Sequence, residues 1–243
     1  MLSLDYSGNM SARTVDWTAS PAGAPRAEGL RERKKRLLRQ QLSDTATEMF
    51  MERGFDAVRV TEVAAACGVS EKTVYNYFPT KESLILDRWD GTIALLRTGL
   101  AEPGAAPVDA ALRILADELG GLTSWLARQD DPVQAGRTIA RFGDLIRATP
   151  SLRAHQHDMT DRLIAVAAEI MARAAGMSPD DPEPQIAAAA LLRLWDIQFR
   201  CLRKYLDGTR TPAQVSDAVT ADVRRAAQVI AAGLSSWPAG RAP

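Results

Sequence analysis

The chain has 243 residues, and its 30 Lys and Arg balance 30 Asp and Glu, for a formal net charge of zero. That balance excludes a polycationic coat for nucleic acid, while the length suffices for one large or two modest domains. Two distant cysteines, Cys67 and Cys201, make neither a metal spacing nor a disulfide framework, and no apolar run or signal peptide points to a membrane or to secretion.

Abundant Ala, Leu and Arg with few β-branched or aromatic residues favour helix over sheet, and no window alternates as a half-buried strand does. The expectation is an all-α, cytoplasmic protein with free thiols, no metal and no cofactor. Residues 1–29 mix Ser, Gly, Ala and Pro without lasting periodicity and read as a flexible leader; Met10 leaves a downstream start open.

A first helix begins at Leu30. Leu38, Leu42, Ala46, Met49 and Phe50 form its inner stripe, and Gly54 offers a stop. Its first turns carry Arg31, Arg33, Lys34, Lys35, Arg36 and Arg39 against Glu32 alone, a strongly basic segment. Thr61 to Cys67 reads as a second helix, with Val63, Ala64 and Cys67 inward, and Gly68 supplies a sharp turn. Ser70 is placed to cap a third helix that Pro79 ends. Thr80 caps a longer fourth helix, Lys81 to Leu100, with Leu84, Ile85, Trp89, Ile93, Leu96 and Leu100 inward.

Residues 103–107 break the chain. Amphipathic helices then follow at about 108–128, 133–148, 151–175, 185–206 and 213–235, and the segment 101–131 is mildly acidic. The division expected is a head with its linking helix over 30–102, a helical body over 103–236 and a flexible tail over 237–243.

Helix, glycine turn and helix is an arrangement that braces one helix in the major groove of DNA. In the third helix Val74 and Phe78 share the core face, which leaves Thr73, Asn76 and Tyr77 toward the groove and Lys72 near its wall. Asn76 can bond an adenine edge bidentately, and the Thr73 methyl can meet a thymine methyl. Tyr75 and Tyr77 hydroxyls, Lys81, and Arg33, Lys34 and Arg36 of the first helix can reach phosphates, which adds salt-dependent affinity without sequence information. A solvated polar face is the plain alternative for any one of these side chains.

Residues from about Arg33 to Trp89 resemble the DNA-binding domain of the tetracycline-repressor (TetR) family. The resemblance rests on Ala46 and Phe50 before Gly54-Phe55, then Val63-Ala64, Gly68-Val69-Ser70, Thr73-Val74-Tyr75-Asn76-Tyr77-Phe78 and Lys81-Glu82-Ser83-Leu84. It implies a three-helix helix-turn-helix head, a linking fourth helix, and a body that dimerises and usually holds a small-molecule effector. The family's groove-facing positions fall on Glu71, Lys72, Thr73, Tyr75, Asn76 and Tyr77, with Ser70 at the cap and its phosphate-contacting lysine on Lys81. The family commonly opens helix two with threonine where Arg59 stands, with Thr61 two residues later. Arg59 is then expected to meet phosphate as a cation and leave the cap to another group.

The last two helices carry apolar stripes. A four-helix dimer interface, the family's arrangement, would use Trp195, Leu202, Leu206, Val219, Val223, Ala226, Ile230 and Leu234; an intrachain bundle is the alternative. A dimer also lets two heads read a two-fold symmetric duplex site. An effector chamber would draw on Trp125, Phe142, His155, Met159, Trp195 and Phe199, with Arg137, Arg141 and His157 as polar partners, although such aromatics more often fill core. The function expected is a homodimeric, sequence-specific repressor whose DNA affinity falls when an effector binds. The alternative is an effector-binding sensor or adaptor whose head contacts protein. His155 and His157 lie on different sides of a helix without nucleophile, metal or phosphate-loop signature, so an enzyme is not expected.

Overall fold

A computed structural model of the chain describes residues 29–86, 89–101 and 106–233. The expected leader and tail, the side chain of Trp89, most of the 103–107 break and Leu234 lie outside the described residues. Within them all regular structure is helical: α1 (Leu30–Arg53), α2 (Val60–Ala66), α3 (Glu71–Tyr77), α4 (Ser83–Leu86), α5 (Trp89–Gly99), α6 (Pro107–Ala127), α7 (Pro132–Ala148), α8 (Pro150–Ala175), α9 (Pro182–Tyr205) and α10 (Pro212–Gly233). No described helix is long and apolar enough to cross a membrane.

The head forms because four short apolar stripes converge. Leu42, Ala46 and Phe50 of α1 meet Val63 and Ala64 of α2, Val74 of α3, Phe78, and Leu84 of α4, all essentially removed from solvent. Gly54 closes α1, its N–H donating to the Phe50 carbonyl at 2.9 Å. Between α2 and α3, Gly68 sits at φ 67°, a left-handed conformation that a side chain resists. The fourth helix expected over 81–100 is described in two parts, α4 and α5, either side of residues 87–88. Thr80 does cap α4: its hydroxyl accepts from the Ser83 N–H at 3.1 Å, while the Ser83 hydroxyl accepts from the Thr80 N–H at 3.2 Å.

Each body helix from α6 to α10 opens on a proline. The expected starts lay one to three residues later, because the sequence reading used proline as a divider. Proline fits N1, where the missing N–H would have had no helical partner. α9 lies at the centre, packed on α6, α7, α8 and α10. Its Leu191, Leu194 and Leu202 join Leu115, Leu119 and Leu122 of α6, Leu163 and Met171 of α8, and Val215, Val219 and Val223 of α10 in one core. Close approach of α7 to α9 depends on Gly143, where a Cβ would lie 2.7 Å from Arg203 Cδ. Tyr205 ties the end of α9 to α10 by donating to Asp222 at 2.7 Å.

Head and body share packing. Ile146 of α7 and Leu152 of α8 belong to the same apolar cluster as the head residues, with Phe142 and Phe199 packed against it. Arg141 reaches back toward the Met51 carbonyl at 3.5 Å. The linking region is therefore a packed joint rather than a free tether.

Part of the expected dimer face is internal to one chain. Leu202, Leu206, Val219 and Val223 are 4%, 6%, 0% and 3% exposed, already covered by α6, α9 and α10. The α9–α10 stripes close an intrachain bundle, so these four side chains cannot be the surface shown to a partner. Trp195, Ala226 and Ile230 are half-buried against the same core.

Candidate nucleic-acid interface and body cavity

α3 is too short to be stable alone, and its ends explain its persistence. The Ser70 hydroxyl accepts from the Thr73 N–H at 3.1 Å and lies 2.8 Å from the Thr73 hydroxyl. At the other end, Arg39 donates to the Tyr77 carbonyl at 2.8 Å while its guanidinium lies 4.7 Å from the centre of the Phe78 ring. Val74 and Phe78, 1% and 2% exposed, anchor the inner face. Glu71, Lys72, Tyr75 and Asn76 are exposed on the outer face, and Thr73 and Tyr77 are half-buried. The Thr73 hydroxyl is thus engaged at the cap, which leaves its methyl as the group free to meet a base.

Around this helix the cations divide into two sets. Arg33, Lys34 and Arg36 are exposed along the first turns of α1, and Thr61 is exposed on the first turn of α2. Arg39, by contrast, is turned inward and braces α3, a structural role that its place in the basic cluster concealed. Lys81 is also drawn in. Its ammonium donates to the Phe55 carbonyl at 2.6 Å and lies 4.3 Å from the Phe55 ring, and burial lowers its pKa from the usual lysine value. An ammonium has three donors, so this anchorage leaves two for a phosphate.

Arg59 stands at the N-cap of α2 but cannot cap with a side chain that only donates. Glu62 supplies the missing acceptor, taking the Arg59 N–H at 2.7 Å and the Arg53 guanidinium at 2.7 Å. Those two donors, the backbone N–H first, hold the Glu62 carboxyl below its usual pKa. Glu62 had no sequence-based assignment, although an acid three residues into a helix is a recognisable capping signal.

In the body a cavity of about 590 Å³ opens between α4 and α5 on one side and α6, α7, α8 and α9 on the other. Ile85, Leu86, Phe142, Ile146, Leu163 and Phe199 provide much of its apolar wall. Of the expected chamber residues Phe142, Trp195 and Phe199 line it, as does His157 at the exposed mouth. Trp125, Arg141, His155 and Met159 do not. Arg141 turns toward the head carbonyl, and Trp125 packs on the main core. His155 and Met159 sit one residue off the lining face of α8, which runs through Gln156, Thr160, Leu163 and Ile164; a single residue rotates a helical side chain by about 100°.

At the inner end lies Glu118, which the sequence reading placed only within an acidic stretch. It accepts from the Trp195 indole N–H at 3.0 Å and from the Thr92 hydroxyl at 3.5 Å. Burial raises its pKa to about 7 despite those two hydrogen bonds. The signal for it was present: Glu118 interrupts the stripe of Leu115 and Leu122, both buried, at three-to-four spacing.

Residues 42–87 match the family model "Bacterial regulatory proteins, tetR family", and residues 128–195 match the model of the MftR C-terminal domain. The chain is 36% identical over 69 residues to the transcriptional regulator TcmR of Streptomyces glaucescens, covering 28% of this chain and 30% of TcmR. It is 25% identical over 160 residues to a protein named as the mycofactocin biosynthesis transcriptional regulator MftR of Mycobacterium tuberculosis, covering 66% of this chain and 77% of that one. Among solved structures, NalD of Pseudomonas aeruginosa is similar with a TM-score of 0.49 at 18% identity, over 79% of this chain and 96% of NalD. These matches are to transcriptional regulators rather than to enzymes.

Proposed function

We propose that this chain, which belongs to the tetR family of bacterial regulatory proteins, binds DNA as a homodimer and represses transcription until a small molecule enters the body cavity. The observation that carries the reading is the outer face of α3. It is a capped helix with its apolar side locked in the head core and Asn76, Tyr75 and Lys72 projecting, flanked by the exposed cations of α1. Asn76 and the Thr73 methyl read base edges, while Arg33, Lys34, Arg36, Arg59, Tyr75 and Lys81 meet phosphates.

The dimer uses the outward side of the antiparallel pair α9 and α10. Ile186 near the start of α9 and Val229 near the end of α10 are 68% and 74% exposed, large apolar side chains without cover in one chain. Two heads so joined would address half-sites about one helical turn, roughly 34 Å, apart.

Ligand control follows from the position of the cavity. Its wall includes Ile85 and Leu86 of α4, which also belong to the head core. An occupant that pushes on α4 therefore acts on the head directly, and it shifts the equilibrium only through a difference in affinity between the two arrangements. The test is selection of genomic fragments by the purified protein, followed by gel shift with excess random DNA at stated salt. Retention of a two-fold symmetric sequence is expected; a protein that is monomeric and shows no sequence preference would refute the reading.

A further inference from the structure

We propose that the body cavity selects a lipophilic ammonium ion, with the Glu118 carboxylate as its counter-ion. This rests on the reading of the body as an effector-binding unit and assigns the chemistry of that effector.

The cavity is apolar over most of its wall, which suits a hydrocarbon or aromatic body. Its ionisable groups are unevenly placed. Glu118 is deep, held by Trp195 and Thr92. His157 and Asp161 are exposed at the mouth. Arg193, also at the mouth, has a side chain 71% exposed and lies 3.8 Å from Asp196. No cation is among the described deep lining residues, so among them an anionic head group entering the cavity would meet a carboxylate and no positive charge. A carboxylate has room for about four hydrogen bonds, and the two donors seen leave capacity for another.

The donors matter to the choice. Trp195 and Thr92 both hydrogen-bond to the ionised form and offset part of its desolvation, yet burial still holds the group near neutrality. A cation within about 4–6 Å favours the ionised form by 1–3 pKa units. An ammonium ligand therefore displaces the Glu118 proton to the buffer and leaves a buried ion pair. A neutral ligand gains no such term.

The test compares three probes that differ only in head group: decylammonium, decan-1-ol and decanoate, by titration calorimetry on the full-length protein. Decylammonium is expected to bind at least about tenfold tighter than decan-1-ol, the equivalent of one pKa unit of coupling, and decanoate weakest. In Glu118→Gln that advantage should vanish. An ammonium advantage that survives in Glu118→Gln, or decanoate binding as tightly as decylammonium, overturns the assignment.

Should that variant fail to fold, wild-type protein suffices. The ammonium advantage should grow between pH 6 and pH 8, and should still do so in His157→Gln, which removes the imidazole at the mouth. A pH-independent advantage overturns the assignment. If decan-1-ol or decanoate binds but decylammonium gains nothing, only the charge assignment falls. If none of the three binds, the effector reading falls with it.

Discussion

The Trp195 indole N–H donates to the Glu118 carboxylate at 3.0 Å, joining α9 to α6 at the inner end of the body cavity. Both residues lie on apolar helix faces, and each satisfies a polar group that would otherwise be costly to bury. The pair is the one place in the described body where a strongly shifted acid meets the cavity.

Its pH behaviour is a consequence. The folded pKa of Glu118, about 7, lies above the ordinary glutamate value of 4.5. The contribution to stability is therefore fully present below about pH 4.5 and is lost as pH rises through about 7, on the order of 3 kcal/mol in total. Thermal melts of the wild type should weaken between pH 5 and pH 8 relative to Glu118→Gln. Parallel pH profiles for the two proteins would show that Glu118 titrates normally.

Asn76→Ala should cost about 1–3 kcal/mol of discrimination at the base pair it reads and leave binding to random DNA nearly unchanged. Lys34→Ala should weaken binding to every sequence and reduce the salt slope by about one unit. Anisotropy titrations over a range of salt, on the selected fragment and a scrambled one, measure both effects. Equal loss on both fragments for Asn76→Ala would remove it from base recognition.

Arg39→Leu should destabilise the head, because it removes the donor to the Tyr77 carbonyl and the cation over Phe78. A loss of about 1–3 kcal/mol is expected for a partly buried charged hydrogen bond. Arg39→Lys should recover little, since an ammonium cannot place a planar fork at both contacts. Urea unfolding followed by circular dichroism reads this; an unchanged midpoint would show that Arg39 does not brace α3.

Val219→Asp and Val229→Asp should separate folding from assembly. Val219 is 0% exposed, so a carboxylate there should collapse the body and lower cooperativity of unfolding. Val229, 74% exposed, tolerates the change within one chain. Light scattering of Val229→Asp should show a folded protein shifted toward monomer. A stable dimer in that variant would place the interface elsewhere.

Much of the head was legible because its signals are local. Ser70 as cap, Gly68 as turn, Pro79 as stop, and the core side of Val74 and Phe78 each depend on neighbours within a few residues. Arg39 and Lys81 were different. Both are cations in a basic setting, and nothing in their spacing distinguishes an arginine aimed at a phosphate from one aimed at the Tyr77 carbonyl, thirty-eight positions away. Glu118 was legible only as an oddity on an apolar stripe. Its partners Thr92 and Trp195 come from α5 and α9, which no periodicity brings together.

The amino-acid order by itself determined that this chain is helical, where most helices lie, and which face of each is apolar, because those properties follow from 3.6-residue periodicity and from caps. It could not say what covers a face. Leu202, Leu206, Val219 and Val223 have the pattern of a surface awaiting a partner, and only the packing of α6, α9 and α10 showed that the same chain already fills it. Burial is a property of three-dimensional neighbours, and apolar contact is non-directional, so one stripe fits an internal core and a subunit interface equally well.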